Sequence, residues 1–324
     1  MSATVRYRSV KSSGPTAARE IGAGGLVVDQ VSKRYRSTTA VDRVSFDVPR
    51  GQVFGLLGNN GAGKTTTVRM ILDLLRPDSG RITWSGKPVA QLAKSRVGYL
   101  PEERGLHRKM PVAELLIFLA RVRGMDAKGA RTAAENGLER LGIGQHATSR
   151  VEQLSKGNQQ LVQFLGSVLH EPELVVLDEP FSGLDPVNQA LIERELEAIG
   201  ARGATVILSS HNMEQVEKLC AYVALINRSR LLFQGPLSEL KRARGDAGYR
   251  LRFQGDASAF RRSLQGLETT WLDDDTLQFP GAEPCLATQV LERALRHGRV
   301  LSLEPTVTSL RQIFIDMVTE GAAR

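Results

Sequence analysis

Short apolar runs alternate with helical patterns over the first two thirds of the chain. Residues 53–57 form a continuous apolar run of strand length, and a glycine-rich loop and a helical pattern follow it. Two further runs, residues 174–177 and 205–208, are also apolar and end in polar residues. Strands that are apolar throughout are typical of parallel sheets buried on both faces. The pattern therefore predicts an α/β fold with a parallel sheet at its core.

The segments before the first of these runs, and between the first and the second, have other patterns of apolar residues. Residues 26–28 and 44–48 predict short strands, and the second of them alternates between apolar and polar positions. Residues 111–141 have the period of helices, with a break at Gly124.

The last third of the chain has a different pattern of apolar and polar residues. Tyr249, Leu251 and Phe253 alternate with arginines, which predicts a half-buried strand. Further along, the pattern predicts a helix over 256–265, a hairpin with an acidic turn at 273–275, a helix over 286–295, a strand over 300–303 and a last helix over 308–318. The order β-α-β-β-α-β predicts a small ferredoxin-like α+β unit.

These changes of pattern predict three parts. Residues 1–25 are rich in Ser, Gly and Ala without a sustained period, which predicts a flexible arm. Residues 26–240 form the α/β domain, and residues 245–324 form a small C-terminal accessory domain.

Composition excludes several classes of protein. The chain has 324 residues with 41% hydrophobic and 24% charged residues, values that exclude collagen-like, disordered and disulfide-scaffold proteins. No run of apolar residues approaches the length of a membrane span, and the first residues lack the apolar core of a secretory signal. Two isolated cysteines do not make a zinc site.

The net charge of +8 raises nucleic acid or an anionic membrane surface as a partner. The charge is diffuse, however, with +3 in residues 1–25, +4 in 26–240 and +1 in the remainder. Aromatic residues make up only 5% of the chain, and no basic block is interleaved with them. A solvated surface is therefore favoured over a nucleic-acid groove.

A phosphate-binding loop lies between the first apolar strand and the helical pattern. Its residues fit the pattern G-x-x-x-x-G-K-[ST], in which glycines let backbone N–H groups converge on phosphate oxygens at a helix N-terminus. The Lys reaches the β- and γ-phosphates, and the following hydroxyl binds Mg²⁺. The candidate nucleotide-binding residues are Gly58, Asn59, Asn60, Gly61, Ala62, Gly63, Lys64, Thr65 and the adjacent Thr66.

A phosphate loop alone does not separate kinases, GTPases, helicases and transport ATPases. The apolar run 174–177 narrows the choice because it ends in Asp178 and Glu179, as in a Walker B segment. Asp178 is expected to hold Mg²⁺ through water, and Glu179 to polarise the attacking water as a general base.

The segment between these two sites carries a resemblance to a family. Residues 154–160 read Leu-Ser-Lys-Gly-Asn-Gln-Gln and resemble the LSGGQ signature of ATP-binding-cassette (ABC) ATPases. Residues 182–185 look like the D-loop, His211 like the switch histidine, and Tyr35 like the aromatic residue that stacks on adenine. Glu102 lies where the family has its Q-loop glutamine. Together with the phosphate loop and the Walker B segment, these elements follow the family's order and cover residues 26–240.

The resemblance implies a P-loop NTPase cassette with a RecA-like parallel core, an antiparallel β subdomain and a helical subdomain. It also implies ATP and Mg²⁺ as ligands. The resemblance implies catalytic roles for Glu179, His211, Lys64 and Glu102. It implies that ATP is bound by the phosphate loop together with Tyr35, Ser155, Gly157 and Asp185. It implies that the metal ion is bound by Thr65, Asp178 and Glu102. Two departures stand out, since Glu102 replaces the usual glutamine, and Lys156 and Asn158 replace Gly and Gln of the signature.

Members of the family work as head-to-tail pairs of cassettes that drive membrane subunits. With one cassette and no predicted span, this chain is expected to need a second copy or a paralogue and a separate transmembrane permease. Residues 111–150 and the Glu102 loop would form the docking surface. The resemblance to NatA-like and drug-exporter subunits implies export, from a cytoplasmic position, peripheral on the inner face of the cell membrane. No nucleic acid is expected as a partner.

Three alternatives remain open on the sequence. A non-transport ABC ATPase that acts on ribosomes or nucleic acid would usually carry paired cassettes or a long coiled-coil insertion, and neither is present. A P-loop kinase or GTPase would lack the signature and His211. A regulatory module without hydrolysis is the third, but Lys64, Asp178 and Glu179 are intact.

Overall fold

The computed structural model describes residues 25–103, 105–244, 248–280, 284–306 and 308–322. The arm expected over residues 1–25 therefore lies outside the described residues except for Gly25. The strands are β1 Leu26–Tyr35, β2 Thr38–Val48, β3 Val53–Leu57, β4 Ser79–Trp84, β5 Lys87–Pro88, β6 Val97–Leu100, β7 Leu174–Asp178, β8 Thr205–Ser210, β9 Tyr222–Asn227, β10 Arg230–Pro236, β11 Gly248–Gly255, β12 Thr270–Trp271, β13 Thr276–Pro280 and β14 Gly298–Thr306. The α-helices are α1 Lys64–Ile71, α2 Val112–Val122, α3 Ala127–Arg140, α4 Lys156–Val168, α5 Pro186–Ala201, α6 Met213–Leu219, α7 Leu237–Arg244, α8 Ala257–Ser263, α9 Pro284–His297 and α10 Leu310–Ala322.

A six-stranded sheet with the order β10-β9-β3-β8-β7-β6 forms the core. All of its neighbouring strands pair in parallel except β10 and β9. Every residue of β7 and β8 is buried, as expected for strands covered on both faces. The α/β fold with a parallel core that the sequence predicts is therefore confirmed. Since the strands are parallel, the carboxyl ends of β3, β7 and β8 meet at one edge of the sheet.

Two hydrophobic clusters cover the two faces of this sheet. Val175 and Leu177 point into a cluster built with α2 to α6, whereas Leu174 and Val176 point into the other. The second cluster joins α1 to the antiparallel sheet β2-β1-β4-β5. Strands β1 and β2 are longer than the short strands expected, and register shifts along β1 explain why their apolar pattern is interrupted.

The helical region divides as the sequence predicts. Helix α2 ends before Gly124, whose φ of +101° lies in the left-handed region that favours glycine. Helix α3 begins after Asp126, whose carboxylate accepts from the backbone N–H groups of Lys128 and Gly129, both at 2.9 Å. Among the described residues, no helix is long and apolar enough to cross a membrane.

A third sheet with the order β12-β13-β11-β14 follows in the last part of the chain. Its elements run β11-α8-β12-β13-α9-β14. Phe260 of α8 is completely buried, with its ring centroid 4.6 Å from that of Phe253 and 5.7 Å from that of Trp271. Together with the apolar side chains of β11, β13 and α9, they form a cluster separate from the two around the central sheet.

The last helix, α10, packs against the α/β core and not in the cluster of the third sheet. Leu310, Ile313 and Phe314 are buried in the large cluster of the central sheet, and α10 contacts α6 and α7. The Glu217 carboxylate on α6 accepts from the backbone N–H of Leu310 at 3.0 Å. The apolar side of α10 is buried against the α/β core, so the last part of the chain returns to the core after the third sheet.

Candidate nucleotide-binding site

The phosphate loop joins β3 to α1 and requires glycine at its end. Gly63 has a φ of +106°, and a Cβ there would lie 2.3 Å from the Ala40 carbonyl oxygen. Gly58, at the start, would place a Cβ 2.3 Å from the carbonyl oxygen of Ile226. The backbone therefore approaches its neighbours too closely for any side chain, and the loop opens directly into the N-terminus of α1.

Lys64 lies inside this loop with only 6% of its surface exposed. Its Nζ donates to the carbonyl oxygens of Gly58 at 2.8 Å and Asn59 at 3.3 Å, and lies 3.9 Å from Glu179 Oε1. Burial lowers the pKa of Lys64, and the carboxylates of Glu179, Asp178 and Glu102 oppose that effect. The ammonium group is thus held at the centre of the loop, where phosphate oxygens are expected.

Asp178 ends β7 and is 1% exposed. Neither of its carboxylate oxygens has a hydrogen-bond partner. Burial raises the pKa of Asp178, while the nearby hydroxyls of Ser209 and Thr65 oppose the rise. A buried carboxylate with free lone pairs beside a hydroxyl is costly unless a cation neutralises it, so these residues fit a Mg²⁺ site.

Glu179 has a strained backbone and a well-held carboxylate. Its φ of +51° is left-handed, a conformation that costs about 1–3 kcal/mol in residues other than glycine and clusters at functional sites. Its Oε1 accepts from the His211 backbone N–H at 3.0 Å and lies 2.7 Å from His211 Nδ1. The Ser210 hydroxyl donates to Oε2 at 3.3 Å. The structure thus brings Lys64, Asp178, Glu179 and His211 together.

The signature segment begins α4. Ser155 is the N-cap, and its hydroxyl accepts from the Asn158 backbone N–H at 3.1 Å. Gly157 faces the D-loop and the start of α5, since a Cβ on it would lie 3.8 Å from Leu184 Cδ2 and 3.0 Å from Asn188 Nδ2. No hydrogen bond among the described residues joins Ser155 or Gly157 to the phosphate loop of the same chain.

Asp185 has a structural task that the motif does not reveal. Its carboxylate caps α5 by accepting from the backbone N–H groups of Val187 and Asn188, both at 3.0 Å. The Asn188 backbone N–H is the main cause that lowers the pKa of Asp185. The residue therefore holds the start of α5 whether or not a nucleotide contacts it.

Tyr35 and Glu102 both have exposed side chains. Tyr35 ends β1 with 46% of its surface exposed, opposite Thr38 of β2. Glu102 follows β6 and acts on Lys64 by its charge. Of the remaining loop residues, Asn59 accepts from Lys64 and from the Ala62 backbone, Asn60 and Gly61 are exposed, and Thr66 continues α1.

Sequence reasoning missed two serines and a tyrosine of this site. Ser209 and Ser210 end β8 beside Asp178 and Glu179. Burial raises the pKa of the Tyr99 phenol on β6, and the nearby negative charge of Asp178 adds to that rise. The signal available for the serines was their place at the polar end of an apolar strand.

The family is decided by comparison with known proteins. A family model described as "ABC transporter" matches residues 41–182. The uncharacterized ABC transporter ATP-binding protein YhaQ of Bacillus subtilis is 41% identical over 293 residues, covering 90% of this chain and 98% of that protein. The chain belongs to the ABC transporter ATP-binding proteins.

Two further similarities define the extent of the match to ABC proteins. The Nod factor export ATP-binding protein I of Paraburkholderia xenovorans is 37% identical, covering 77% of this chain and 83% of that protein. A solved structure of an ATP-binding subunit of an ABC transporter is 29% identical with a TM-score of 0.63, covering 67% of this chain and 92% of the other. The predicted P-loop ABC fold and the family resemblance are both confirmed.

The predicted activity is confirmed at the level of the family. The chain is an ATP-binding subunit of an ABC transporter and an ATPase. Such subunits pair with membrane permease subunits, and the relatives favour this interpretation over a ribosomal or nucleic-acid role. The ABC family binds ATP, generally with Mg²⁺.

Proposed function

We propose that this ABC subunit hydrolyses ATP with Mg²⁺ at an interface with a second cassette, and that hydrolysis drives export through separate permease subunits. The observation that carries the proposal is the meeting of Lys64, Asp178, Glu179 and His211 at one edge of the central sheet. Lys64 and Asp178 bear opposite charges and the carboxylate lacks hydrogen-bond partners, which suits a phosphate and a cation bound side by side.

The phosphate loop and Lys64 bind the β- and γ-phosphates, and Tyr35 stacks on the adenine. Thr65, Asp178 and Glu102 hold Mg²⁺, which neutralises phosphate charge when bound. Support for this set comes from the free oxygens of Asp178 and from the exposed ring of Tyr35. Glu102 supplies a carboxylate where relatives of the wider ABC family place a neutral amide, so its charge adds to the affinity for the cation.

Glu179 acts as the general base that takes a proton from the attacking water. His211 orients it through two contacts to Oε1, and Ser210 holds Oε2. Fixing both oxygens selects one direction for proton transfer, which contributes to the rate through orientation. The strained φ of Glu179 is consistent with a side chain that the surrounding structure holds in place.

The second cassette completes the site. Ser155 and Gly157 begin a helix of 13 residues and present its N-terminus, a favourable place for the partner cassette's γ-phosphate. Lys156, the first residue of α4, adds a positive charge there. Asp185 lies beside this segment and belongs to the same interface. The two cassettes are copies of this chain or this chain and a paralogue.

The permease docks on the helical region, residues 111–150, and the loop of Glu102. Phe118 and Val122 on α2 are 54% and 66% exposed, and such apolar side chains favour contact with another protein. The subunit is then peripheral on the cytoplasmic face of the membrane. Export is the direction that the name of the Nod factor export relative supports.

Residues 26–240 are the ATPase domain, and the segment from residue 245 is an accessory domain whose last helix packs back on the ATPase.

Glu179→Gln tests the general base and the dimer together. General-base catalysis contributes about 10²–10⁴-fold, so turnover should fall by that factor while ATP binding persists. The variant should then accumulate as an ATP-bound dimer, which light scattering with and without ATP and Mg²⁺ detects. A variant that stays monomeric with undiminished turnover would contradict the proposal.

Co-purification from solubilised membranes tests the partner. The full chain should recover a polytopic membrane protein, and Phe118→Glu should reduce the recovery without lowering the ATPase rate of the isolated subunit. Recovery of ribosomes or DNA by both forms would refute the transport assignment for this chain.

A further inference from the structure

A buried glutamine of α4 grips the loop that carries Glu102. Gln163 is 6% exposed, and its Nε2 donates to the carbonyl oxygens of Pro101 at 3.2 Å and Glu103 at 3.1 Å. These two acceptors lie on either side of Glu102 in the sequence. Both N–H groups of the Gln163 amide therefore donate to the backbone on either side of Glu102.

The oxygen of the Gln163 amide differs from the nitrogen in its hydrogen bonding. Its Oε1 is buried and has no hydrogen-bond partner. A buried acceptor without a partner is unfavourable, and an apolar side chain at this place in the helix would avoid that cost. The two donors are therefore what the side chain contributes, and both act on the Glu102 loop.

Glu102 depends on its backbone for its position. Its side chain is exposed, and among the described residues no hydrogen bond holds the carboxylate. The backbone anchors at residues 101 and 103 are then the contacts that fix where this carboxylate lies relative to Lys64 and Asp178. Anchoring on both sides restricts the loop more than either contact alone.

We propose that Gln163 is a positioning residue that fixes Glu102 for its role at the nucleotide site. The proposal rests on the function proposed above for Glu102. The N-cap of helix α4 is Ser155, eight residues before Gln163 and about 12 Å away along the axis. One rigid helix thus joins the surface offered to the partner cassette to the Glu102 loop of the same chain.

The test is a double-mutant cycle between Gln163→Met and Glu102→Ala. Met keeps the length of the side chain but donates no hydrogen bond. Since small misplacements of catalytic groups are costly, Gln163→Met should lower kcat about tenfold and raise the Mg²⁺ concentration needed for half-maximal rate. In the Glu102→Ala background the same change should lower kcat less than about twofold, because the group it positions is gone.

Gln160→Met is the matched control. Gln160 lies one turn earlier in α4, is equally buried, and its Nε2 donates to the Pro180 carbonyl oxygen at 3.0 Å. Its effect on kcat should multiply with that of Glu102→Ala rather than vanish. Circular dichroism and thermal unfolding check that each variant folds. If Gln163→Met does not fold, Gln163→Leu replaces it, since its apolar side chain also donates no hydrogen bond to the two carbonyls.

The outcomes separate the two levels of the proposal. If Glu102→Ala lowers kcat and the effect of Gln163→Met multiplies with it, Gln163 has only a structural role and the positioning proposal is overturned. If Glu102→Ala leaves kcat and the Mg²⁺ dependence unchanged, the role of Glu102 fails as well. Loss of the Gln163→Met effect in the Glu102→Ala background, with Gln160→Met still multiplicative, establishes the positioning role.

Discussion

The central sheet and the third sheet differ in where they place charged side chains. The central sheet is covered on both faces, yet it buries Lys64, Asp178 and Glu179 at one edge. The described part of the third sheet buries an apolar cluster and the hydroxyl residue Thr276, while Arg250 and Arg252 of β11 are exposed. Burying a charge costs free energy, so the stability of the fold does not explain why the central sheet buries these three charged side chains. The chemistry of the subunit is therefore concentrated in the first region, and the third sheet is organised for packing.

The largest expected effect comes from Asp178→Asn. The change should reduce ATPase activity by about 100-fold or more, because a metal ion contributes several kcal/mol to such transition states and the ligand charge is lost. The stability of the nucleotide-free protein should move the other way, since the substitution removes a buried carboxylate without hydrogen-bond partners. Steady-state ATPase assays and chemical unfolding without Mg²⁺ measure the two effects.

The pH dependence of that stability has a definite sign. Because the pKa of Asp178 is raised on folding, the folded chain binds this proton more tightly than the unfolded chain. Its contribution to stability is present at low pH and is lost as the pH rises from the ordinary carboxyl pKa through the raised one. Asp178→Asn should gain stability relative to the wild type across that window. A constant difference would show that the carboxylate is not desolvated, and the contrast between the two regions would weaken.

Phe260→Ala tests the other region and has the next largest effect. Removing a completely buried phenylalanine costs about 3–5 kcal/mol, and a small unit has little stability to spare. The third sheet should lose hydrogen-exchange protection while the central sheet keeps it and ATPase activity changes little. Phe118→Ala, at a half-exposed phenylalanine of α2, is the control and should alter stability by less than about 0.5 kcal/mol. Loss of protection in β3, β7 and β8 as well would show that the two sheets unfold as one unit.

The sequence predicts the central region well because its chemistry is local in the chain. The spacing of Gly58, Gly63 and Lys64 is a property of one loop, and Asp178 and Glu179 terminate one apolar strand. Contacts made across the fold leave no such trace. The pairing of Gln163 with the Glu102 loop joins positions 60 or more residues apart, and Ser209 lies beside Asp178 only because β7 and β8 pair.

The same limit explains the last helix. The period of residues 308–318 predicts a helix, and α10 is one, but periodicity does not say which apolar surface covers it. Proximity in the chain alone would place it beside the third sheet. The structure shows that the core around α6 and α7 buries Leu310, Ile313 and Phe314 instead. Long-range packing decided this placement, and the periodicity of a single sequence carries no direct signal for it.

Glu217→Ala has the smallest expected effect and tests where α10 belongs. The carboxylate accepts from the Leu310 backbone N–H at the start of α10 and forms an ion pair with Lys241 of α7. A hydrogen bond to a charged acceptor contributes about 1.5–3 kcal/mol, and partial exposure reduces this value, so we expect about 1 kcal/mol. Hydrogen exchange should speed up in residues 310–320 and stay unchanged in β11 and β14. Glu214→Ala, at an exposed position of the same helix α6, should leave both segments unchanged. If β14 loosened together with α10, the last helix would belong energetically to the third sheet, and the boundary between the two regions would lie at α7 rather than between β14 and α10.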